Sequence, residues 1–493
     1  MFTVGLHSCR NIFKMRIVLS WRQINVYVLL YFLTAIIASA GWFNREFGQV
    51  DLDQILYHVE MMPSSISLSD AGFIQNAIDN CLLAPFAYAL IVMCLWASLE
   101  HFLASTVPFE KLKSKLLSNK GQILLVLLAL IYAVTNNLIF HFDFLPQQDW
   151  IASLYASPKV LKAPNKPRNL VLIYSESLET SYARKPFVEG LLSPLDHLGQ
   201  RPISFQRMSQ MPGTGWTIAG IVSSQCGLPL KPLGLFSKNS IGEKLPEFLP
   251  KAICLGDILK QHGYENVFLG GAYSEFSGKD LFLKTHGYTT VYGRDDWEAL
   301  NPKPKMNGWG LEDDDLFKHG LQKLSELQAA KKPFNLTLLT VGMHFPDGFL
   351  APSCKPIYNS FEDTVICTST LIEQFIQTAR QRGLLDNTDY LVMGDHLSMH
   401  NAVQDKLDKT GKRFIFNQFN SLSDLKPNRQ VIDHFDIAPT LLSLLGFELK
   451  DGQFGLGCAA VGSVQCKSLA VDPTAQNKIS KHSAFYNRLW GLP

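Results

Sequence analysis

The chain has 493 residues, 47% hydrophobic and only 18% charged, with a formal net charge of +2. At about 150 residues per domain that length points to more than one domain. The near-neutral balance, with no basic-aromatic stripe, argues against nucleic acid as a partner, and no internal repeat or low-complexity tract is evident.

The first third is the most apolar. Runs at about 24–43, 81–102 and 121–140 each approach the roughly 20 residues that cross a bilayer. Three such runs flanked by charges fit membrane spans better than buried helices of a soluble core. Ala38-Ser39-Ala40 resembles a signal cleavage site, but the run before it is long for a signal core and further spans follow. Arg10, Lys14, Arg16 and Arg22 precede the first run, Arg45 is the only Lys or Arg in the loop after it, and Lys111, Lys113, Lys115 and Lys120 lead into the third. Positive charge stays inside, so the chain after about His141 lies outside. The expected organisation is a three-span anchor over 1–145, a linker over 146–168 and an external domain over 169–493.

The cysteines agree with that side. Cys9 falls in the inside tail, Cys81 and Cys94 at or within the second run, and Cys226, Cys254, Cys354, Cys367, Cys458 and Cys466 in the external part. An even set in an oxidising compartment reads as disulfides. The close spacings suggest Cys354–Cys367 and Cys458–Cys466, which leaves Cys226–Cys254. A metal cluster is the competing reading, without C-x-x-C or paired-His spacing to support it.

The external part opens with a Pro- and Lys-rich boundary over 157–167. Asn169 to Ser175 is an unbroken apolar run, as in a buried strand of a mostly parallel sheet. Glu176 stands just past its end, where open α/β sheets bind ligands; it is a metal ligand or the cap of a following helix. Met211-Pro-Gly-Thr-Gly-Trp-Thr-Ile-Ala-Gly220 reads as a loop entering a helix that Thr214 or Thr217 caps. A hydroxyl there lies among free N–H groups at the positive end of the helix dipole, which favours an alkoxide and attracts phosphate. A helix and strand follow over 253–271, then a helix over 316–331. The strand 334–340 runs into His344, which lines a site or is structural. After a helix over 368–382, the strand from Asp389 ends in Gly394-Asp395-His396, and adjacent Asp and His at a strand end can reach one ion. Residues 431–446 form the last helix, with Asp436 as a structural N-cap.

Strands alternating with helices, and Glu176, Thr214, Asp395 and His396 at their ends, make one coherent site. Two carboxylates and an imidazole would hold a divalent ion against the Thr214 oxygen and polarise a phosphoryl group. Attack would give a phospho-threonine, resolved by an alcohol or water. Mn²⁺, Mg²⁺ and Zn²⁺ all suit such ligands.

The order of strand-Glu, Thr-helix and Gly-Asp-His resembles the alkaline phosphatase/sulfatase superfamily, and within it the membrane-anchored lipoteichoic acid synthase and phosphoglycerol transferase branch. The stretches that carry the likeness are Ser175-Glu-Ser-Leu-Glu179, Pro212 to Gly220, Ser224-Gln-Cys-Gly227, Ile253 to Leu259, Gly278-Lys-Asp280, Trp309-Gly310 with Asp313 and Asp314, Thr340 to Gly348, and Asp395-His-Leu397. The resemblance implies an α/β, mostly parallel sheet flanked by helices behind a transmembrane helical anchor. It implies a multi-pass protein of a bacterial inner membrane with its catalytic domain in the periplasm, moving phosphoglycerol from phosphatidylglycerol to a glucan or other glycan with Mn²⁺ as the first choice of metal. Glu176, Asp395 and His396 would be ligands, and Thr214 both ligand and nucleophile in preference to Thr217. Lys279 stands where related synthases place an Arg on the substrate phosphate, so a point charge replaces a bidentate fork. His344 would be a second substrate contact, and Trp309 a wall of the glycerol pocket or a core residue. The related synthases carry a His before Gly-Gly; here Phe268-Leu-Gly-Gly271 has none, which leaves the acceptor open. A sulfatase would need Cys or Ser in a C/S-x-P-x-R context, and a phosphoethanolamine transferase Cys-Gly-Thr-x-Thr; neither is present. Hydrolysis remains the other outcome of the same chemistry.

Overall fold

The computed structural model describes residues 21–47, 71–103, 118, 123, 124, 127, 128, 148–231, 246–300 and 302–492. The chain divides into two compact units, 1–52 with 70–141, and 53–69 with 142–493.

In the first unit, α1 (Trp21–Phe47), α2 (Ala71–Ile78) and α3 (Ala84–Leu103) are helical, with a π-helical turn at Asp79–Leu83 between the last two. Trp42 Nε1 donates to Asn76 Oδ1 at 2.9 Å, and Tyr31 meets Phe86 edge-on at 6.0 Å. Leu82, Phe86, Tyr88, Ile91 and Leu95 are exposed, an apolar surface of the kind a membrane span presents. Among the described residues only Gln75–Leu95 is long and apolar enough to cross a membrane; the apolar stretch of α1 is the shorter Tyr27–Ser39. Nearly all of the expected span at 121–140 lies outside the described residues. The three-span, multi-pass expectation is thus reduced here to one candidate span.

The second unit is built on a seven-stranded sheet. Its strands are β1 (Asn169–Ser175), β2 (Pro202–Ile203), β3 (Glu265–Gly270), β4 (Tyr288–Tyr292), β5 (Phe334–Leu339), β6 (Thr388–Gly394) and β7 (Asn417–Asn420). They lie in the order β2-β7-β6-β1-β5-β3-β4. The run from β6 to β4 is parallel, whereas β7 is antiparallel to β6 and β2 to β7. The longer helices of this unit are α4 (Thr217–Cys226), α5 (Leu255–Gln261), α6 (Lys279–Thr285), α7 (Asp313–Ala329), α8 (Phe361–Gln381) and α9 (Ile437–Leu445). Every residue of β1, β5 and β6 is buried. Successive side chains of a strand point to opposite faces, so Leu170 and Leu172 join Ile218, Ile221 and Leu441 in one core. Val171 and Ile173 join Leu316 and Phe375 in the other. Helices on both faces are why the strands read as continuous apolar runs.

Some boundaries differ from those expected. Helix α8 begins at Phe361, not 368, because Ser360 Oγ accepts from Glu362 N at 3.3 Å and starts it early. Residues 431–446 begin as a strand, Val431–Asp433, parallel to Arg207–Ser209. Asp433 accepts from Phe435 N at 2.9 Å. Asp436 caps nothing ahead of it; its carboxylate accepts from Asp433 N at 3.2 Å and Cys458 N at 3.1 Å and pairs with Arg429 at 3.0 Å. The stretch expected as a linker is tied into the domain from 148 onward. Asp149 accepts from Ser483 Oγ at 2.7 Å and Phe485 N at 2.9 Å, and Val160–Lys162 pairs antiparallel with Glu448–Leu449.

Disulfides join Cys226–Cys254, Cys354–Cys367 and Cys458–Cys466. His286 lies beside the first, but its ring is bonded to Asp257 Oδ2 at 2.8 Å and Phe248 O at 2.9 Å. The competing metal-cluster reading of these cysteines has no place there.

Candidate active site

Because β1 and β6 are adjacent and parallel, with Ser175 opposite Gly394, the residues that follow them emerge together at one edge of the sheet. His396 Nε2 lies 3.3 Å from Glu176 Oε1 and 3.4 Å from Asp395 Oδ2, and all three side chains are buried. The approach is close because two glycines permit it. A Cβ on Gly394 would come within 2.0 Å of Leu178 O, and one on Gly220 of α4 within 2.1 Å of Asp395 O.

Each member is held by its neighbours. Asp395 Oδ1 accepts from Ser177 N and His396 N, both at 2.9 Å. The Asp395 carbonyl accepts from His434 Nε2 at 2.7 Å. His396 Nδ1 donates to Leu397 O at 2.8 Å, which fixes the tautomer that leaves Nε2 bare. Leu397 N donates to Gln210 Oε1 at 2.7 Å. Ser398 N donates to Glu179 Oε2 at 3.0 Å, and Glu179 is itself clamped by Arg413 Nε at 2.9 Å. The loop bearing two of the candidate ligands is therefore fixed at every step.

Asp395 Oδ2 and His396 Nε2 are buried without a hydrogen-bond partner. Buried polar atoms are costly when orphaned, and a carboxylate oxygen beside a bare imidazole nitrogen is the donor set of a divalent cation. The residues fit such an ion. Burial disfavours every charge here, yet Asp395 and Glu176 hold the His396 imidazole up at about 9, and its positive form pulls Glu176 down to about 2; a bound cation would take the place of that Nε2 proton. Burial, together with the Glu176 charge, pushes Asp395 up to about 7.

The hydroxyl at this cluster belongs to Thr217. Its Oγ1 donates to Glu176 Oε2 at 3.3 Å, and the residue is half-buried at the first position of α4. Thr214 is fully buried. Its Oγ1 donates to Met211 O at 2.7 Å and accepts from Met211 N at 3.0 Å. Gly213, at φ 73°, turns the chain into a tight loop that Thr214 closes from inside, and extended Trp216 then delivers Thr217 to the helix start. The expectation that Thr214 faces the ligands is corrected accordingly: its hydroxyl is committed to its own loop.

Three further groups converge on the cluster. Lys279 is buried at the first position of α6. Burial lowers its ammonium to about 8 against the pull of Glu176, Asp280 and Asp395. His344 is buried, and burial lowers its pKa against the Glu176 charge. Its Nδ1 donates to Phe345 O at 2.8 Å, leaving Nε2 bare. Half-buried Trp309 lies against His344 at 4.1 Å between ring centroids, tilted by 31°, and meets Phe276 edge-on at 5.4 Å. The turn before His344 hangs on Asp313, which accepts from Val341 N at 2.8 Å and Gly342 N at 3.1 Å. His434 was given no role by sequence reasoning, since nothing local marks a histidine that works through a carbonyl brought alongside by folding.

A mostly parallel, helix-flanked sheet with a buried carboxylate–imidazole cluster and a helix-start hydroxyl at one edge defines an α/β protein of the alkaline phosphatase/sulfatase class. The profile of the sulfatase family matches residues 168–447, more than half of the chain. The chain belongs to that family. Phosphoglycerol transferase I of Citrobacter koseri is 34% identical over 342 residues, 67% of this chain and 43% of that protein. That of Escherichia fergusonii is 33% identical over 353 residues, 69% and 45%. The matched region thus spans less than half the length of these relatives. Among solved structures, the lipoteichoic acid synthase LtaP of Listeria monocytogenes aligns at 16% identity and TM-score 0.48 over 62% of this chain and 79% of that one. The lipooligosaccharide phosphoethanolamine transferase A of Neisseria meningitidis aligns at 14% and 0.47 over 86% and 84%.

Proposed function

We propose that this protein is a membrane-anchored transferase that moves phosphoglycerol from phosphatidylglycerol to a glycan through a covalent phosphate on Thr217. The observation that carries the reading is the Thr217 hydroxyl on Glu176, at a helix start beside the orphaned Asp395 and His396 atoms. Glu176, Asp395, His396 and Thr217 would hold one divalent ion, for which we propose Mn²⁺. Such an ion supplies Lewis acidity, lowering the hydroxyl's pKa and polarising the phosphoryl group.

Lys279 offers its ammonium to a phosphoryl oxygen, and the first-turn N–H groups of α4 add donors where charge develops. In the first step the Thr217 Oγ–phosphorus bond forms, the bond to the diacylglycerol oxygen breaks, and that oxygen leaves as a hydroxyl with the proton given up by Thr217. In the second, a glycan hydroxyl attacks the phosphorus. Bare His344 Nε2 takes its proton and passes it to Thr217 Oγ as the protein–phosphate bond breaks. Trp309 fixes the His344 ring. The three disulfides of the folded domain suit a periplasmic location, and the apolar Gln75–Leu95 helix suits an inner-membrane anchor.

The test uses the full chain with Mn²⁺ and headgroup-labelled phosphatidylglycerol, with and without a periplasmic glucan. Diacylglycerol release with label on the glucan is the expected result. Label appearing only as free glycerol phosphate would make the protein a hydrolase. Turnover of phosphatidylethanolamine in its place would overturn the donor.

A further inference from the structure

The segment between β5 and α8 stays at the site edge of the sheet. β5 ends there, and α8 runs back to the opposite edge so that parallel β6 can begin. It is bonded to the site throughout its first half: Gly348 N donates to His344 O at 2.9 Å, Phe349 N to Gly342 O at 2.6 Å, and Ala402 N to Pro346 O at 2.9 Å.

Its second half ends in an exposed apolar tip. Ile357 is 64% and Tyr358 38% exposed. Among the described residues of the folded domain, Ile357 is the most exposed large hydrophobic residue, and these two are the only adjacent pair. The tip is not loose chain. Cys354 and Cys367 staple it to α8. The Asp363 carboxylate accepts from Ile357 N at 2.7 Å, Tyr358 N at 2.9 Å and Ser360 N at 3.3 Å. Asn359 takes φ 52° to complete the turn. Lys355 and Pro356, just before the pair, are also exposed.

A single exposed apolar residue is ordinary; what sets this tip apart is an adjacent aliphatic and aromatic pair held outward on a backbone pinned by Asp363 and a disulfide. The arrangement of an aliphatic residue, an aromatic residue with a polar end, and a cation fits one environment, the headgroup region of an anionic bilayer. Tyr prefers that interface, and Lys is drawn to its negative potential. Because the loop is already fixed, little ordering entropy opposes insertion. We infer that the Lys355–Tyr358 tip is a membrane-docking element that seats the site edge of the catalytic domain on the lipid surface, where a phospholipid donor enters beside His344. The inference rests on the lipid-donor reading above, and its test separates the two.

Full-length Ile357→Trp protein is placed in phosphatidylglycerol-containing vesicles whose acyl chains are plain or brominated, with wild-type protein as the background. The added emission should be quenched at least about twofold by bromine, as for a residue at the acyl boundary. Emission that bromine leaves untouched overturns docking. Independently, Ile357→Asp/Tyr358→Ser should lower kcat/KM for vesicle phosphatidylglycerol by about 5- to 10-fold, the worth of one partly inserted apolar side chain. Turnover of monomeric dihexanoyl-phosphatidylglycerol should change less than twofold. An equal loss on both donors, or no loss on either, also overturns docking. If wild-type protein turns over neither donor, the transferase reading fails and the quenching alone decides the docking.

Discussion

The Thr217 hydroxyl donates to Glu176 Oε2 across 3.3 Å, while Thr214, three residues earlier in the same loop, spends both hydrogen bonds on Met211. Two similar hydroxyls are thereby separated into one that faces the candidate ligands, the proposed nucleophile, and one committed to its own loop.

Thr217→Ala should lower transfer by about 10³-fold or more with the fold retained, as when a covalent nucleophile is removed, while Glu176, Asp395 and His396 still hold the ion with reduced affinity. Thr214→Ala should cost about 1–3 kcal/mol of stability by orphaning the Met211 N–H, with turnover of the surviving folded protein little changed. Trapping of ³²P on wild-type and Thr214→Ala protein, but not on Thr217→Ala, is the decisive readout. A Thr214→Ala protein that is folded but unlabelled would return the role to Thr214.

Lys279 gives a pH dependence. Burial holds its ammonium at about 8 in the fold, below the usual lysine value of about 10.4. The charged form is disfavoured on folding, so the lysine's contribution to stability rises as pH climbs through that interval. If Lys279 holds the phosphate as proposed, binding needs the ammonium, so activity should fall on the alkaline side from near pH 8. Lys279→Arg keeps its charge there and should lose that alkaline limb in kcat/KM, even if its maximum is lower. An unchanged limb would remove Lys279 from the phosphate.

Divalent-ion removal should be visible without turnover. Saturation at a hundredfold excess over Kd stabilises by about 2.7 kcal/mol, so chelation should lower Tm by several degrees and Mn²⁺ should restore it. His396→Ala deletes one of the two orphaned atoms and should abolish the Mn²⁺ response. A wild-type Tm indifferent to chelator and to added Mn²⁺ would argue against a resident ion.

The pair formed by buried Glu179 and partly exposed Arg413 supports the loop of candidate ligands through Ser398. Arg413→Met strands a fully buried carboxylate and should cost about 3–5 kcal/mol. Adding Glu179→Gln should return part of that loss, and the non-additivity of a double-mutant cycle measures the coupling. Additive effects would mean the two side chains act separately.

Much of this was legible in the sequence because it depends on local pattern. The runs of β1, β5 and β6 announce buried parallel strands, and a residue just past such a strand falls at the ligand-binding edge, which placed Glu176, Asp395 and His396 without any three-dimensional information. The choice between Thr214 and Thr217 was not local. It turns on the left-handed Gly213, which folds the loop over Thr214, and motif spacing carries no record of which hydroxyl is thereby consumed. His434 escaped for a similar reason, since its partner is a carbonyl 39 residues away. Within the boundary read over 157–167 the sequence does not announce the strand Val160–Lys162, because Pro and Lys signal exposed, non-helical chain equally well in a tether and in an edge strand.

That edge strand bears on how the domain can be cut free for study. A soluble fragment starting at 169 would discard the partner of Glu448–Leu449 and the Asp149 carboxylate that holds Ser483 and Phe485. It would leave an open sheet edge, prone to pairing with other copies, and a C-terminal region with nothing to dock on. A fragment starting at 148 keeps both attachments. The two should part in solution, the longer running as a monomer on sizing and the shorter aggregating.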